Sequence, residues 1–453
     1  MQTDLNGLDT PLSDAAALTA WNRVQLGALS HAASTGPALE ELLAASPGFA
    51  LGHAVKGLFL VSLCRSELTL AATRAAAAAR AALETEAHPR AAAFLDALDY
   101  CLSGHHAAGA LTLESWLFTC PRDALAMKLA QGLRFLTGNP RAMLCAAETL
   151  LPQWEDHPAR GYLLGCHAFA LEEAGAYEQA EASGRAALDL APDDAWGLHA
   201  VAHVLDMTGR AAEGVRWLAG RSAQWRHCNN FGYHVWWHLA LFHIDRGATG
   251  PALDLYDRQV RPEHTDDFRD IANAASLLLR LEFEGVSVGP RWEELARLAA
   301  ARVDDGALVF ADLHYQLALV RAGRVAEAEA LAARLAREAS RPGHDQHEVA
   351  GLSGVPLARG LLQFREGAYG AAARSLVQGL AGAQALGGSH AQRDLFQRLA
   401  IEAALRAGAT DTALALLARR TAGRGASDGY AARVRDRVQA HSRTLAAGGL
   451  AAE

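Results

Sequence analysis

From residue 138 onward, a glycine recurs along this chain, followed five residues later by a second marked position. The pairs are Gly138 and Met143, Gly175 and Ala180, Gly209 and Gly214, Gly247 and Ala252, Gly323 and Ala328, Gly367 and Ala372, and Gly408 and Ala413. Each glycine reads as the turn of a helix hairpin, and the small residue lets the second helix approach the first closely. Only Met143 departs from the small-residue rule. One hairpin cannot bury its own apolar face, so such hairpins must stack on one another.

The segment Gly161 to Asp194 shows the plan most clearly. Its first helix is expected over Tyr162 to Glu173 and its second over Tyr177 to Leu190, with Pro192 just beyond the end. The next segment, Ala195 to Arg226, repeats it: Gly209 and Gly214 each fall 34 residues after Gly175 and Ala180. A period of 34 with these small positions is the tetratricopeptide spacing. The repeats are degenerate, with His167 where a leucine is expected, Gly184 where an aromatic is expected, and later spacings above 34. A generic helical bundle is the alternative. Less regular helices are expected over Ala15 to Ala33, Pro37 to Ala45, Ala50 to Arg65, Leu68 to Glu86 and Arg90 to Leu102. Gly285 to Pro290 and Pro342 to Gly351 read as links, Gly423 to Gly429 as a turn, and Tyr430 to Leu445 as a capping helix. The expected organisation is an N-terminal helical region (1–110) continuous with the superhelix, tetratricopeptide-like repeats (111–422), and a capping helix with its tail (423–453). The fold class is all-α, an α-α superhelix of antiparallel hairpins.

Composition narrows the function. The chain is 51% hydrophobic and 20% charged, with a formal net charge of −8. No run of Lys or Arg suits a nucleic acid or a membrane surface. Met1 to Ser13 lacks the basic start and apolar centre of a secretory signal. The longest apolar stretch, near Leu58 to Leu63, falls far short of the roughly 20 residues a bilayer requires. The six cysteines contain no C-x-x-C and read as buried, reduced thiols, so a cytoplasmic location is expected. No phosphate-binding loop, dinucleotide motif, G-x-S-x-G elbow or H-E-x-x-H motif is present.

Nineteen histidines are unevenly placed. One first-position helix carries His199-Ala-Val-Ala-His203 with Asp206 a turn on, and the next carries His234-Val-Trp-Trp-His238. Histidines at i and i+4 share a helix face and can converge on one metal ion. Two such helices side by side could supply four imidazoles, so a transition metal is the cofactor these residues would hold. The same set could instead grip a carboxylate or phosphate, or act as a base near neutral pH. By repeat register His199, His203, Asp206 and His234 face the concave groove, while His238 lies closer to the interface between repeats. The bland alternative is packing, strongest for His234/His238 because Trp236, Trp237 and Phe242 share their helix. Asp206 and Asp312 are candidate acceptors for the ring N–H groups. Asp312-Leu-His314 and His390-Ala-Gln392-Arg393-Asp394 are further polar groups. For the latter, Ser389 reads as a helix cap, with Arg393 either structural or gripping an anion.

Several stretches resemble the tetratricopeptide repeat protein 38 family. They are Gly52-His53-Ala54, Trp196-Gly-Leu-His199-Ala-Val-Ala-His203, Tyr233-His-Val-Trp-Trp-His238, Val288-Gly-Pro-Arg-Trp292 and Gly387-Gly-Ser-His-Ala-Gln392-Arg393-Asp394, in order from about Leu12 to Arg420. The resemblance implies a single superhelix and marks His53, His199, His203, His234, His238, Gln392, Arg393 and Asp394 as recurrent polar positions. It implies no particular activity. Two functions are therefore expected to compete. One is a scaffold that binds a small molecule, peptide or protein partner in its groove. The other is an enzyme, metal-dependent or not, that uses the histidine cluster for acid–base or hydrolytic chemistry.

Overall fold

The glycines do what their spacing demands. All seven turn glycines named above adopt positive φ, between 62° and 83°. Gly175, at 83°, shows why: a residue with a side chain would be strained in this left-handed turn between two helices. At Gly214 the close approach decides the matter, because a Cβ there would collide with the ring of Phe242. Gly184, in place of the expected aromatic, lets Val201 of the next repeat pack against bare backbone.

The computed structural model describes residues 2–450, whose regular structure is almost all helix. A two-stranded antiparallel ribbon, β1 (Gln2–Thr3) and β2 (Asp9–Thr10), precedes the helices. The hairpins follow as α1 (Ala15–Ser30) with α2 (Thr35–Ala45), α3 (Ala50–Ser62) with α4 (Thr69–Thr85), and α5 (Pro89–Leu102) with α6 (His106–Thr119). Next come α7 (Ala124–Leu136) with α8 (Pro140–Leu150), α9 (Arg160–Glu173) with α10 (Tyr177–Leu190), α11 (Ala195–Met207) with α12 (Ala211–Ala219), and α13 (Phe231–Asp245) with α14 (Thr249–Leu255). The series continues as α15 (Phe268–Phe283) with α16 (Arg291–Ala300) and α17 (Val309–Arg321) with α18 (Val325–Ala339). It ends with the short α19 (Asp345–Val349), α20 (Val355–Arg365) with α21 (Tyr369–Leu380), α22 (His390–Arg406) with α23 (Thr410–Ala422), and the final α24 (Gly429–Leu450). The link expected over Pro342 to Gly351 is instead largely helical: α19 runs through a π-turn, Ala350–Gly354, directly into α20. The packing of Ala350 and Gly354 against the core overrides the glycine-based loop expectation.

The first helices of successive hairpins stack side by side: α11 touches α9 and α13, and α15 touches α13 and α17. Their concave sides are covered by the chain itself. Helix α22 reaches across to α11 and α15. The edges of the superhelix are tied together along its length. Arg302 joins Glu67 and Asp266, each at 2.6 Å. The Asp345 backbone N–H donates to the Gly104 carbonyl at 3.1 Å, and the Gly425 N–H to that of Met207 at 3.0 Å. Arg433 meets Glu284 at 2.8 Å. The groove-facing positions are therefore interior positions.

Groups buried this way must be paired. Arg420, on α23, is 4% exposed and holds two carboxylates, Asp394 at 2.5 Å and Asp428 at 2.7 Å. Burial alone would raise the Asp394 carboxyl, but Arg420 and Arg398 beside it hold it well below the usual carboxylate range. Arg420→Ala is expected to cost about 3–5 kcal/mol, because it leaves two buried charges without their partner. Urea unfolding followed by helical circular dichroism measures this, and a loss below about 1 kcal/mol would show that the cluster is not the lock described.

Candidate metal centre

Helices α11 and α13 build the site because they occupy equivalent places in adjacent hairpins. Asp194 caps α11, accepting from the Gly197 N–H at 3.1 Å. Gly165 and Gly197 leave the room that the Asp194 carboxylate occupies between α9 and α11, since a Cβ at either glycine would collide with it. On α11, His199 and His203 lie one turn apart; on α13, His234 and His238 do the same.

The four rings point their Nε2 atoms at one place. His203 and His199 approach at 2.9 Å, His199 and His234 at 3.0 Å, and His234 and His238 at 3.3 Å. One nitrogen from each of the four residues lies within 4.8 Å of those of the others. A tetrahedral ion with bonds of 2.0–2.1 Å sets its donor atoms about 3.3 Å apart, so these separations fit with small outward adjustments. Hydrogen bonding among the rings alone fits poorly. Each Nε2 carries either one proton or one lone pair, and the central two nitrogens each face two others.

The outer nitrogens set the tautomers. His234 Nδ1 meets Asn273 Oδ1 at 2.9 Å, an acceptor that places the proton on Nδ1 and leaves the Nε2 lone pair free. His203 Nδ1 faces Glu172 Oε2 at 3.6 Å, and that oxygen has no other partner. The Nδ1 atoms of His199 and His238 are buried without a partner. Rings enclose the centre: Trp237 stacks on His234 with centroids 5.1 Å apart, and Phe169 lies 5.7 Å from His199 and 5.3 Å from His203. His31, at the end of α1, stacks on Phe231 at 4.6 Å and on Trp196 at 5.6 Å, closing one side.

Burial is the largest cause of the electrostatics here. It drives His199, His203 and His238 well below the ordinary imidazole range and His234 to about 4, so all four rings are neutral near pH 7, as metal ligands must be. Beside them, burial pushes Glu172 up to about 7. Burial would also raise Glu173, but Arg393 and His390 pull it below its usual value; the same two glutamates raise His390 against its own burial.

The remaining site candidates lie elsewhere. His390 joins Glu172 at 3.3 Å and Glu173 at 3.5 Å, forming a second acidic–imidazole group next to His203. Arg393 grips Glu173 at 2.7 Å, so the anion it holds is internal. Gln392 completes a capping box with Ser389. Asp206 pairs with Arg424 at 3.2 Å, and Asp312 with Arg334 at 2.5 Å. Neither is an acceptor for the four rings; Asn273 and Glu172 take those places. Burial raises Asp312 to about 7 and lowers His314 to about 4. His314 bonds the Phe310 carbonyl at 2.8 Å, and His53 bonds that of Pro47 at 2.8 Å. Both are satisfied away from the centre. Of the cysteines, Cys64, Cys101 and Cys166 are buried as expected, but Cys145 is exposed. Sequence reasoning missed Glu172, Glu173, Asn273 and His31. The two glutamates end the first helix of the clearest repeat, and His390 and Arg393, which they hold, lie more than 200 residues away.

Fold and site together define a tetratricopeptide-like superhelix with a buried four-imidazole cluster. No family model matches the chain. Among solved structures, yeast Tom70 is similar at 12% identity and a TM-score of 0.34, over 94% of this chain and 88% of that one. Naa15/Naa10 bound to HypK-THB is similar at 13% identity and a TM-score of 0.27, over 88% of this chain and 62% of that one. Neither likeness bears on function, which rests on the geometry above. No helix among the described residues is long and apolar enough to cross a membrane.

The cluster has a signature in acid. An unfolded histidine titrates near 6.5, above the folded values here. Metal-free protein therefore has stability from each of these rings that is present above about pH 6.5 and lost as pH falls toward the folded value. Carboxyls raised by burial, such as Glu172, act in the opposite sense, so the informative quantity is a difference. In chelator, the stability of the wild type relative to His234→Gln is expected to fall by about 1.4 kcal/mol per pH unit between pH 6.5 and about 4. A flat difference across that window would mean the ring is charged or solvated in the folded chain.

Proposed function

We propose that this chain is a helical-repeat scaffold organised around a transition-metal ion, held by His199, His203, His234 and His238. The convergence of four Nε2 atoms on one point carries this reading. Imidazole donors suit zinc, copper, iron and nickel, and a tetrahedral set favours zinc. Such an ion would staple α11 to α13. Its positive charge would be offset by Glu172, which reaches His203 on one side and His390 of α22 on the other. The ordered motifs from Gly52 to Asp394 support the resemblance to the tetratricopeptide repeat protein 38 family.

Four imidazoles fill all four positions of a tetrahedral ion, and three of the four are nearly solvent-free, at 2%, 0% and 1% exposure for His199, His203 and His238. A closed donor set of this kind is structural; a hydrolytic centre keeps one position for water. This favours the scaffold over the enzyme. A peptide or protein partner would then meet the molecule outside the part of the groove that α22 fills.

Elemental analysis of purified, tag-free protein is expected to find about one equivalent of zinc or a similar metal, absent from His199→Ala/His203→Ala. At free zinc 1,000-fold above its dissociation constant, the ion adds about 4 kcal/mol to stability, lost on chelation. A well-folded protein that takes up no metal from zinc, copper, iron or nickel salts would sink the proposal. In competition with a chromophoric chelator, Glu172→Gln and Asn273→Ala are expected to weaken zinc binding about 10- to 100-fold while leaving helical content intact. Unchanged affinity in both would remove the outer partners from the assignment.

A further inference from the structure

A second feature lies beside the four-imidazole cluster, with His390 common to the surroundings of both. Between the end of α11, α21, and the facing sides of α22 and α23 lies a cavity of about 290 Å³. Its polar wall carries Arg393, Arg419, Arg420, Arg424 and His390, against a single carboxylate, Asp394. The acids that neutralise these guanidinium groups stand mostly behind that wall. Glu173 takes Arg393, Asp206 takes Arg424 and Asp428 takes Arg420, and none of the three acids lines the space. Asp394 is held by Arg398 at 2.7 Å and by Arg420 at 2.5 Å, so its charge is already matched. The cavity surface is thus cationic although the surrounding network is close to balanced.

One donor behind that wall is unused. Arg424 has a side chain only 4% exposed, yet its Nε–H finds no hydrogen-bond acceptor, and the closest carboxylate oxygen, on Asp428, stands 3.5 Å away. That Nε is itself closed off, so a guest in the cavity would meet Arg424 through its terminal guanidinium nitrogens. Arg419 is exposed and carries a second guanidinium to the same space. The other wall is apolar, formed by Met207, Val377, Leu380 and Leu416.

We infer that this cavity is a binding site for a small organic anion, a carboxylate or phosphate head on a compact apolar body. The head accepts from Arg424 and Arg419, and the body lies against Val377, Leu380 and Leu416. The volume sits at the lower end of ligand pockets, which sets the size of the guest at a single ring or a short branched chain.

Calorimetric titration of the full-length protein tests this with three single-ring probes: phenyl phosphate, 3-phenylpropionate and neutral benzyl alcohol. At least one of the two anions is expected to bind saturably at one site per chain, at least 10-fold more tightly than benzyl alcohol; which anion wins identifies the head group. Arg419→Gln, a change at an exposed position, is expected to weaken binding at least 5-fold without shifting the melting temperature. Val377→Phe, which fills the apolar side, is expected to abolish it in a protein of unchanged helical content. Failure of both anions to bind at 10 mM, equal binding of the alcohol, or binding that survives both substitutions would overturn the inference.

Discussion

The inner helices of this superhelix are buried on both sides, and most other features follow from that. In an open array of hairpins, the first helix of each pair faces solvent along the groove. Here α22 and its neighbours fill that space, so His199, Gln316, Asp312 and Arg280 are all interior. A buried polar group must find a partner or lose several kcal/mol. The interior is accordingly threaded with charge pairs between distant segments. Arg90 spans Asp4 and Asp123, each at 2.7 Å, and the cluster around Arg420 brings α22, α23 and the approach to α24 together. Such pairs add little net stability over apolar packing, but breaking one is costly. They fix which segment docks where.

The same constraint separates two kinds of buried histidine. His314 meets a backbone carbonyl and is satisfied as a neutral ring. The four rings of α11 and α13 meet each other through their Nε2 atoms, and a cation is the partner proposed for them all. Glu172 extends the arrangement: one oxygen faces His203 and the other faces His390. The cluster is thereby linked to the helix that closes the groove, so a metal bound there, as proposed, would support the docking of α22.

Much of this was legible in residue order. The seven turn glycines take the left-handed conformation, the second helix of the clearest repeat runs Tyr177–Leu190 as read, and Ser389 caps α22 with Gln392. These depend on neighbours within a few positions. The i, i+4 histidine pairs were legible for the same reason, and the 34-residue repeat made it reasonable that the two pairs should meet. Asp206 and Asp312 misled because they lie near histidines in sequence, while their true partners, Arg424 and Arg334, come from other turns of the superhelix. His390 and Arg393 looked like groove ligands; they bind Glu172 and Glu173, from a helix end that carries no local sign of function.

By itself, the sequence determined the repeating unit: hairpin length, turn position, and which face of each helix is small or apolar. Steric limits at glycine and helical periodicity act over a few residues, so they can be read locally. Tertiary structure alone decided that the superhelix closes on its own groove. Closure depends on many contacts between segments about 200 residues apart, none strong enough to mark the sequence. It turned groove-facing polar residues into buried ones. It thereby chose Asn273 and Glu172 as the outer partners of the imidazoles and left a cationic wall on the cavity between α21, α22 and α23.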